Sequence, residues 1–319
     1  MKIQLRADLM LLMITFFWGA SILLTKIALY HMEEYNLISL RFMIAFLVSG
    51  IVFYKHLLKI NLQTLKYAFI LASILFFVYV FATFGTKYTS VSNAGFLMSL
   101  TVIFIPVIST IYLKQKPEKK VGWAIALALC GIGLLTFNNQ FKIAFGDLLC
   151  ILCALFYAVH IIVTGKIAGK VHPISIGVLQ LGFVGVFSTI FSFIMETPKL
   201  PNNPETWLST LVLSIFCTGI PFIVQIIAQQ YTTPTHAGLI FTLEPVFSSG
   251  FAFIFTGETL SSKGYLGAML LLISVLIAEL DFKSLLKVNY RKILSKYDAK
   301  SRQFAWLFAC VEYFTHHLQ

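Results

Sequence analysis

The chain has 319 residues, of which 58% are apolar or aromatic and 12% charged, against about 25% charged in ordinary soluble domains. So few charges cannot clothe a water-exposed surface, which excludes a soluble enzyme, a disordered chain and a nucleic-acid module. The mean hydropathy of +0.86 suits a bilayer, and there the net charge of +11 matters by its placement.

A spanning helix takes about 20 mostly apolar residues. Charge-poor runs predict ten helices, at about 8–30, 36–54, 65–86, 92–113, 120–137, 146–165, 174–195, 207–230, 236–256 and 263–281. The expected fold is an all-α membrane protein of ten transmembrane helices. The first helix follows Lys2 and Arg6 as a signal peptide would, but it is too long and lacks a small-residue cleavage site, so it reads as retained. The long apolar run 206–243 is divided at Tyr231–Thr235, where Pro234 lacks an N–H and pushes its predecessor out of helical geometry. Cys150 and Cys153 have the spacing of a metal or redox pair. They lie inside a span with no second pair nearby, and read as small hydrophobes. No metal, cofactor or catalytic constellation is expected, and no Gly-rich phosphate loop appears. Residues 283–319 form a basic tail, with an apolar stretch at 304–311 too short to span, expected to lie on anionic inner-leaflet lipid.

The sides follow from lysine and arginine. With the N-terminus inside, the inner segments carry Lys2, Arg6, Lys55, Lys59, Lys66, the four lysines of 114–120, Lys166, Lys170 and the basic tail. The outer loops carry only Lys87, Lys142, Lys199 and Lys263. The positive-inside rule therefore predicts a cell (inner or plasma) membrane protein with both ends cytoplasmic.

The two halves resemble each other. At an offset of 143, Tyr88-Thr89 matches Tyr231-Thr232, Ala94-Gly95 matches Ala237-Gly238, Leu100 matches Leu243, and Gln115 stands opposite Glu258. At an offset of 139, Asp8, Trp18, Ser21 and Thr25 pair with Asp147, Tyr157, His160 and Thr164. Five spans per copy is an odd number, so the second copy is expected upside down, an arrangement that suits a carrier. The expected units are 1–140, 141–282 and the tail 283–319.

Phe16-Phe17-Trp18-Gly19-Ala20-Ser21 with Lys26, then Arg41, and later Leu243-Glu244-Pro245-Val246 with Gly257-Glu258 and Gly267, resemble the EamA-like branch of the drug/metabolite transporter superfamily. The resemblance covers roughly residues 8–281. It implies two inverted five-helix repeats around a central cavity lined by helices 1–4 and 6–9, with small metabolites, often amino acids, as cargo. Gln115 departs from the acidic residue that the first repeat often has, and the C-terminal extension is longer than the family needs.

Polar groups inside hydrocarbon normally face the bundle interior. Trp18, Ser21 and Thr25 share one face of the first helix, and Tyr157, His160 and Thr164 the matching face of the sixth. These faces suit opposite walls of a substrate cavity, or the aromatic rings simply pack. His160 reads as a substrate or proton contact or as a satisfied interior group. Glu244, mid-span beside Pro245, reads as a proton-coupling or amine-binding carboxylate, or as a group that satisfies a bent helix. Tyr79 and Gln225 are cavity candidates by helix membership. Lys26 and Arg41 are expected to snorkel to the interface, and either of them, if it faces inward, would suit a substrate carboxylate. Asn93 and His236 are expected to cap helices, with a ligand role as the alternative, and Glu258 to be structural. Pro106, Pro221 and Pro245 mark bends within helices.

The expectation is a secondary carrier of a small polar metabolite, an amino acid or related compound, exported by alternating access, with protons as a coupling ion. Uptake or exchange of a nucleoside-like cofactor such as S-adenosylmethionine, or a non-transporting sensor with the same fold, are the alternatives. The oligomeric state cannot be read from the residues.

Overall fold

The computed structural model describes residues 2–58, 60–113, 119–136, 144–232, 234–241 and 243–279. The tail, Gln115 and the side chain of His236 lie outside the described residues, and the expectations on them with it. The described chain is helical, with no strand. Its helices are α1 (Lys2–Ala28), α2 (Glu34–Val52), α3 (Tyr54–Leu57), α4 (Leu62–Tyr88), α5 (Val91–Met98), α6 (Thr101–Leu113) and α7 (Lys119–Thr136). There follow α8 (Phe145–Ile167), α9 (Pro173–Met195), α10 (Pro204–Ser214), a π-helical turn at Ile215–Gly219, α11 (Ile220–Ala228), α12 (Pro234–Phe241), α13 (Glu244–Thr256) and α14 (Ser262–Glu279). Among the described residues seven stretches are long and apolar enough to cross a bilayer. They are Leu5–Ala28, Glu34–Val52, Leu62–Tyr88, Val91–Ser109, Phe145–Ile167, Pro173–Met195 and Pro204–Ala228.

Local chemistry sets the ends of several helices. Asn61 caps α4 by accepting from the Thr64 N–H (2.8 Å), and Asn203 caps α10 by accepting from the Thr206 N–H (2.7 Å) just before Pro204. Asn93 does not cap its helix: Ser90 does, its hydroxyl accepting from the Asn93 N–H (3.1 Å). Two carboxylates cap helices from far along the chain. Glu196 accepts from the N–H groups of Tyr35 and Asn36 at the start of α2 (both 2.7 Å). Glu258, the expected structural acid, accepts from Val91 and Ser92 at the start of α5 (3.2 and 2.9 Å). Each places negative charge on the positive end of a helix dipole. Gly257 closes α13 in the left-handed region (φ 65°) that only glycine adopts freely.

The expected continuous helices at 92–113 and 236–256 are each broken. The breaks fall in one register: α5 and α6 map onto α12 and α13, residue for residue, at an offset of 143. The two breaks have different causes. In the later pair Pro245 has no N–H for the Phe241 carbonyl, so the helix restarts at Glu244. In the earlier pair two hydroxyls compete with the ladder, Ser99 donating to the Phe96 carbonyl (2.7 Å) and Thr101 to that of Met98 (2.8 Å).

Packing follows the same exchange of halves. Helix α1 packs on α13 and α8 on α6; α5 packs on α13 and α12 on α6; α4 packs on α8 and α1 on α10 and α11. The remaining large contacts join α2 to α9, α7 to α14 and α4 to α9, with α2 against α10 and the π turn. Glycine lets the backbones close: a Cβ on Gly19 would lie 2.5 Å from the Cβ of Phe247 in α13 and 3.0 Å from the Ser248 nitrogen. Such small-residue contacts are how helices associate where lipid offers no hydrophobic drive.

Candidate functional site

Within the bundle a cavity of about 80 Å³ opens between α1, α2, α4, α5, α6, α8, α11 and α13. The spacing of its lining residues explains why these helices form it. Trp18, Ser21, Ile22 and Thr25 recur along one stripe of α1, and Val78, Tyr79, Ala82, Thr83 and Thr86 along one stripe of α4. Thr101 and Glu244, each the first residue after a helix break, stand at the cavity as positional counterparts in the two halves. The Glu244 carboxyl is half-buried.

Five of the sequence candidates, Trp18, Ser21, Tyr79, Tyr157 and Glu244, line this cavity. Trp18 and Tyr157 meet edge to face with ring centroids 5.7 Å apart. Trp18 also touches Phe222 (5.7 Å) and Phe241 (5.1 Å), so aromatic rings floor the cavity. His160 and Gln225 do not line it. Both are fully buried beyond that floor, His160 stacked on Tyr157 and 3.4 Å from the Gln180 carboxamide oxygen. Gln225 lies beside the Tyr157 hydroxyl, and neither of its own polar atoms makes a hydrogen bond of standard geometry among the described residues. Cys150 and Cys153 are free and buried, and Cys153 forms part of the cavity wall.

Of the two placements expected for Arg41, the structure shows the inward one. Arg41 does not snorkel: it is 3% exposed and lines the cavity. Seven residues from the start of α2, it lies about 10 Å inside that end, at 1.5 Å per residue. Its Nε donates to the Thr218 hydroxyl (2.5 Å), and its Nη1 to that of Thr25 (3.3 Å). Its Nη2 reaches the Ser21 hydroxyl (2.9 Å), the Cys217 carbonyl (3.2 Å) and the Tyr79 hydroxyl (3.3 Å). The carbon of the guanidinium is 4.8 Å from the Tyr79 ring centroid. The π turn supplies two of these acceptors. Pro221 cannot donate to the carbonyl four residues back, which is that of Cys217, and that oxygen is left for Arg41. Lys26 likewise does not simply snorkel, since it donates to the Thr89 carbonyl, while the Thr89 hydroxyl donates to Asp147 (2.5 Å). Lys87 pairs with Glu34 at the same rim. A basic residue seven positions inside a charge-poor helix was the available signal for Arg41. What the sequence lacked was the five acceptors, which come from two other helices and a π turn.

Several spans long and apolar enough to cross a bilayer, around a cavity with a guanidinium and a carboxyl on its wall, fit a multi-pass membrane transporter. The chain belongs to the EamA-like transporter family, which matches residues 5–137 and again residues 144–280. It is 31% identical over 277 residues to an uncharacterized transporter of Archaeoglobus fulgidus, covering 87% of both chains. A second uncharacterized transporter of that organism is 26% identical over 79% of this chain and 90% of its own length. The Bacillus subtilis uncharacterized transporter YetK is 24% identical over 64% of this chain and 66% of its own. A solved crystal structure superposes with a TM-score of 0.66 at 19% identity, over 88% of this chain and 98% of that one, a likeness of fold.

Proposed function

We propose that the protein is a secondary carrier that moves a small polar metabolite across the inner or plasma membrane by alternating access. Amino acids or related compounds are the cargo and export is the direction. The observation that carries this reading is the cavity itself, a largely apolar hollow among the spanning helices whose wall carries one guanidinium, one carboxyl and a group of hydroxyls. Charged groups within spanning segments mark substrate and ion paths, because hydrocarbon otherwise excludes them.

The exchange of packing partners and the common register of the two helix breaks support ten spanning helices in two inverted five-helix repeats, about 1–140 and 141–282. Two such units can rock about a site between them, opening it to each side in turn. Lysine and arginine placement puts both termini in the cytoplasm. Trp18, Ser21, Tyr79 and Tyr157 contact the cargo at the cavity wall. Glu244 takes up either the proton that couples transport or an amine of the cargo. His160 and Gln225 serve the path beyond the aromatic floor, when the floor moves aside.

The test is counterflow into proteoliposomes loaded with a mixture of the twenty L-amino acids, beside a thermal-shift screen of amino acids, nucleosides and cofactors. Saturable exchange with a matching thermal shift is expected. A protein that exchanges none of these compounds and is stabilised by none would instead be a membrane sensor.

A further inference from the structure

Arg41 has a feature that the carrier reading leaves unexplained. A guanidinium buried at membrane depth is expected to sit against a carboxylate. Among the described residues no carboxylate lies within 4 Å of it, and all five of its hydrogen-bond acceptors are neutral. Glu244 shares the cavity but forms no ion pair with it. The positive charge is solvated by four hydroxyls and one carbonyl, with no carboxylate paired to it among the described residues.

Those hydroxyls are themselves informative. Ser21, Thr25 and Tyr79 each accept from the guanidinium and each line the cavity. A hydroxyl that accepts in this way keeps its own proton to donate. Nη1 carries two N–H groups and has one acceptor, Thr25, at 3.3 Å. The wall around Arg41 is therefore a set of donors gathered on a cation, with Thr218 and the Cys217 carbonyl fixing the orientation of the fork. A planar anion with two oxygens matches a guanidinium fork in both charge and shape.

We propose that Arg41, with the hydroxyls of Ser21, Thr25 and Tyr79, is a binding site for the carboxylate of the transported molecule. The assignment rests on the carrier reading and narrows its cargo to compounds bearing a carboxylate. Glu244 on the same cavity disfavours a dianion such as a phosphate ester, and accepts the ammonium of an α-amino acid.

The experiment compares matched pairs on the purified full-length protein. The probes are a mixture of the twenty L-amino acids, the corresponding mixture of amino-acid amides, and inorganic phosphate, each read by thermal shift and by competition for counterflow. Acids are expected to bind about tenfold to hundredfold better than amides, the weight of one charge-assisted pair, and phosphate is expected to produce no shift. Arg41→Lys keeps the charge but loses the fork, and lowers the acid-to-amide ratio by about tenfold. The double variant Ser21→Ala with Thr25→Val lowers the same ratio several-fold and leaves the guanidinium in place. The ratio is independent of overall stability, so a purely structural Arg41 would lower the melting temperature of Arg41→Lys and leave the ratio unchanged, which overturns the proposal. Equal binding of acids and amides overturns it too, as does a shift with phosphate that matches the acids. Exchange confined to nucleosides or other compounds without a carboxylate overturns this assignment and leaves the carrier reading standing. An absence of exchange and of thermal shift with every compound class overturns both.

Discussion

Arg41 donates to the carbonyl of Cys217, and that carbonyl is free because Pro221 has no N–H to offer it. A proline in one helix thus fixes the geometry of an arginine in another, 180 residues earlier in the chain. Pro221→Ala restores the missing donor and converts the π turn toward α geometry. Its melting temperature is expected to equal or exceed that of the parent, since alanine is the better helix former. Binding of carboxylate-bearing probes falls about tenfold, the value of one hydrogen bond to a charged group. Thermal shift on the two proteins side by side reads both quantities.

Glu244 lines the cavity at the start of α13, where Thr101 stands in the other half. Glu244→Gln preserves shape and removes the charge. Proton-driven flux in proteoliposomes is expected to fall at least about tenfold, with counterflow in the absence of a gradient less affected. Near-normal proton-dependent flux would assign the carboxyl to the helix bend alone.

The closeness of α1 and α13 makes Gly19 intolerant of any side chain. Gly19→Ala forces its Cβ against Phe247 and the Ser248 nitrogen. Overpacking of this kind costs about 1–3 kcal/mol, so the melting temperature in detergent should drop, whereas Gly250→Ala, whose Cβ would meet nothing within 4 Å, leaves it unchanged.

A pH effect is expected at the other end of the bundle. The rings of His56 and His172 stack with centroids 4.5 Å apart, and Ser175 donates to the His56 carbonyl (2.9 Å). Burial and then the neighbouring His56 hold His172 below its ordinary pKa. The folded state therefore favours the neutral ring. Its contribution is complete above about pH 6.5, the unfolded value, and is lost as pH falls below it. The melting temperature of the parent should decline more steeply below that pH than that of His172→Gln, a comparison made by scanning both across pH 5–8.

Removing the Trp18 indole tests the aromatic floor. Trp18→Ala takes away contacts to Tyr157, Phe222 and Phe241 and costs about 3–5 kcal/mol as a pure packing residue. Binding measured on the surviving folded fraction separates the roles: affinity weakened beyond this stability loss places the indole at the cargo, and unchanged affinity assigns it to packing.

The all-helical, membrane-spanning character was legible because hydrophobic run length reports on the bilayer. The cavity stripe Trp18, Ser21 and Thr25 was legible for the same reason that any helical face is, its period of three and four. The helix breaks were not legible. Pro245 signals one of them, but Ser99 and Thr101 look like ordinary small residues until their hydroxyls are seen turned back on the Phe96 and Met98 carbonyls. For Arg41 the sequence favoured snorkelling over the inward placement that the structure shows, because snorkelling is decided by what surrounds a side chain, and its acceptors belong to α1, α4 and the π turn. His160 and Gln225 share helical faces with cavity residues, yet Phe222 and Tyr157 stand between them and the hollow, which periodicity cannot foresee.

The two matching breaks are made of unlike material. A pyrrolidine ring bends one wall permanently, for nothing short of mutation returns its lost N–H. A pair of rotatable hydroxyls bends the other, and each needs only a torsional turn to hand its carbonyl back to the backbone. The two elbows therefore differ in what would straighten them, a substitution at Pro245 in one and a side-chain rotation at Ser99 and Thr101 in the other.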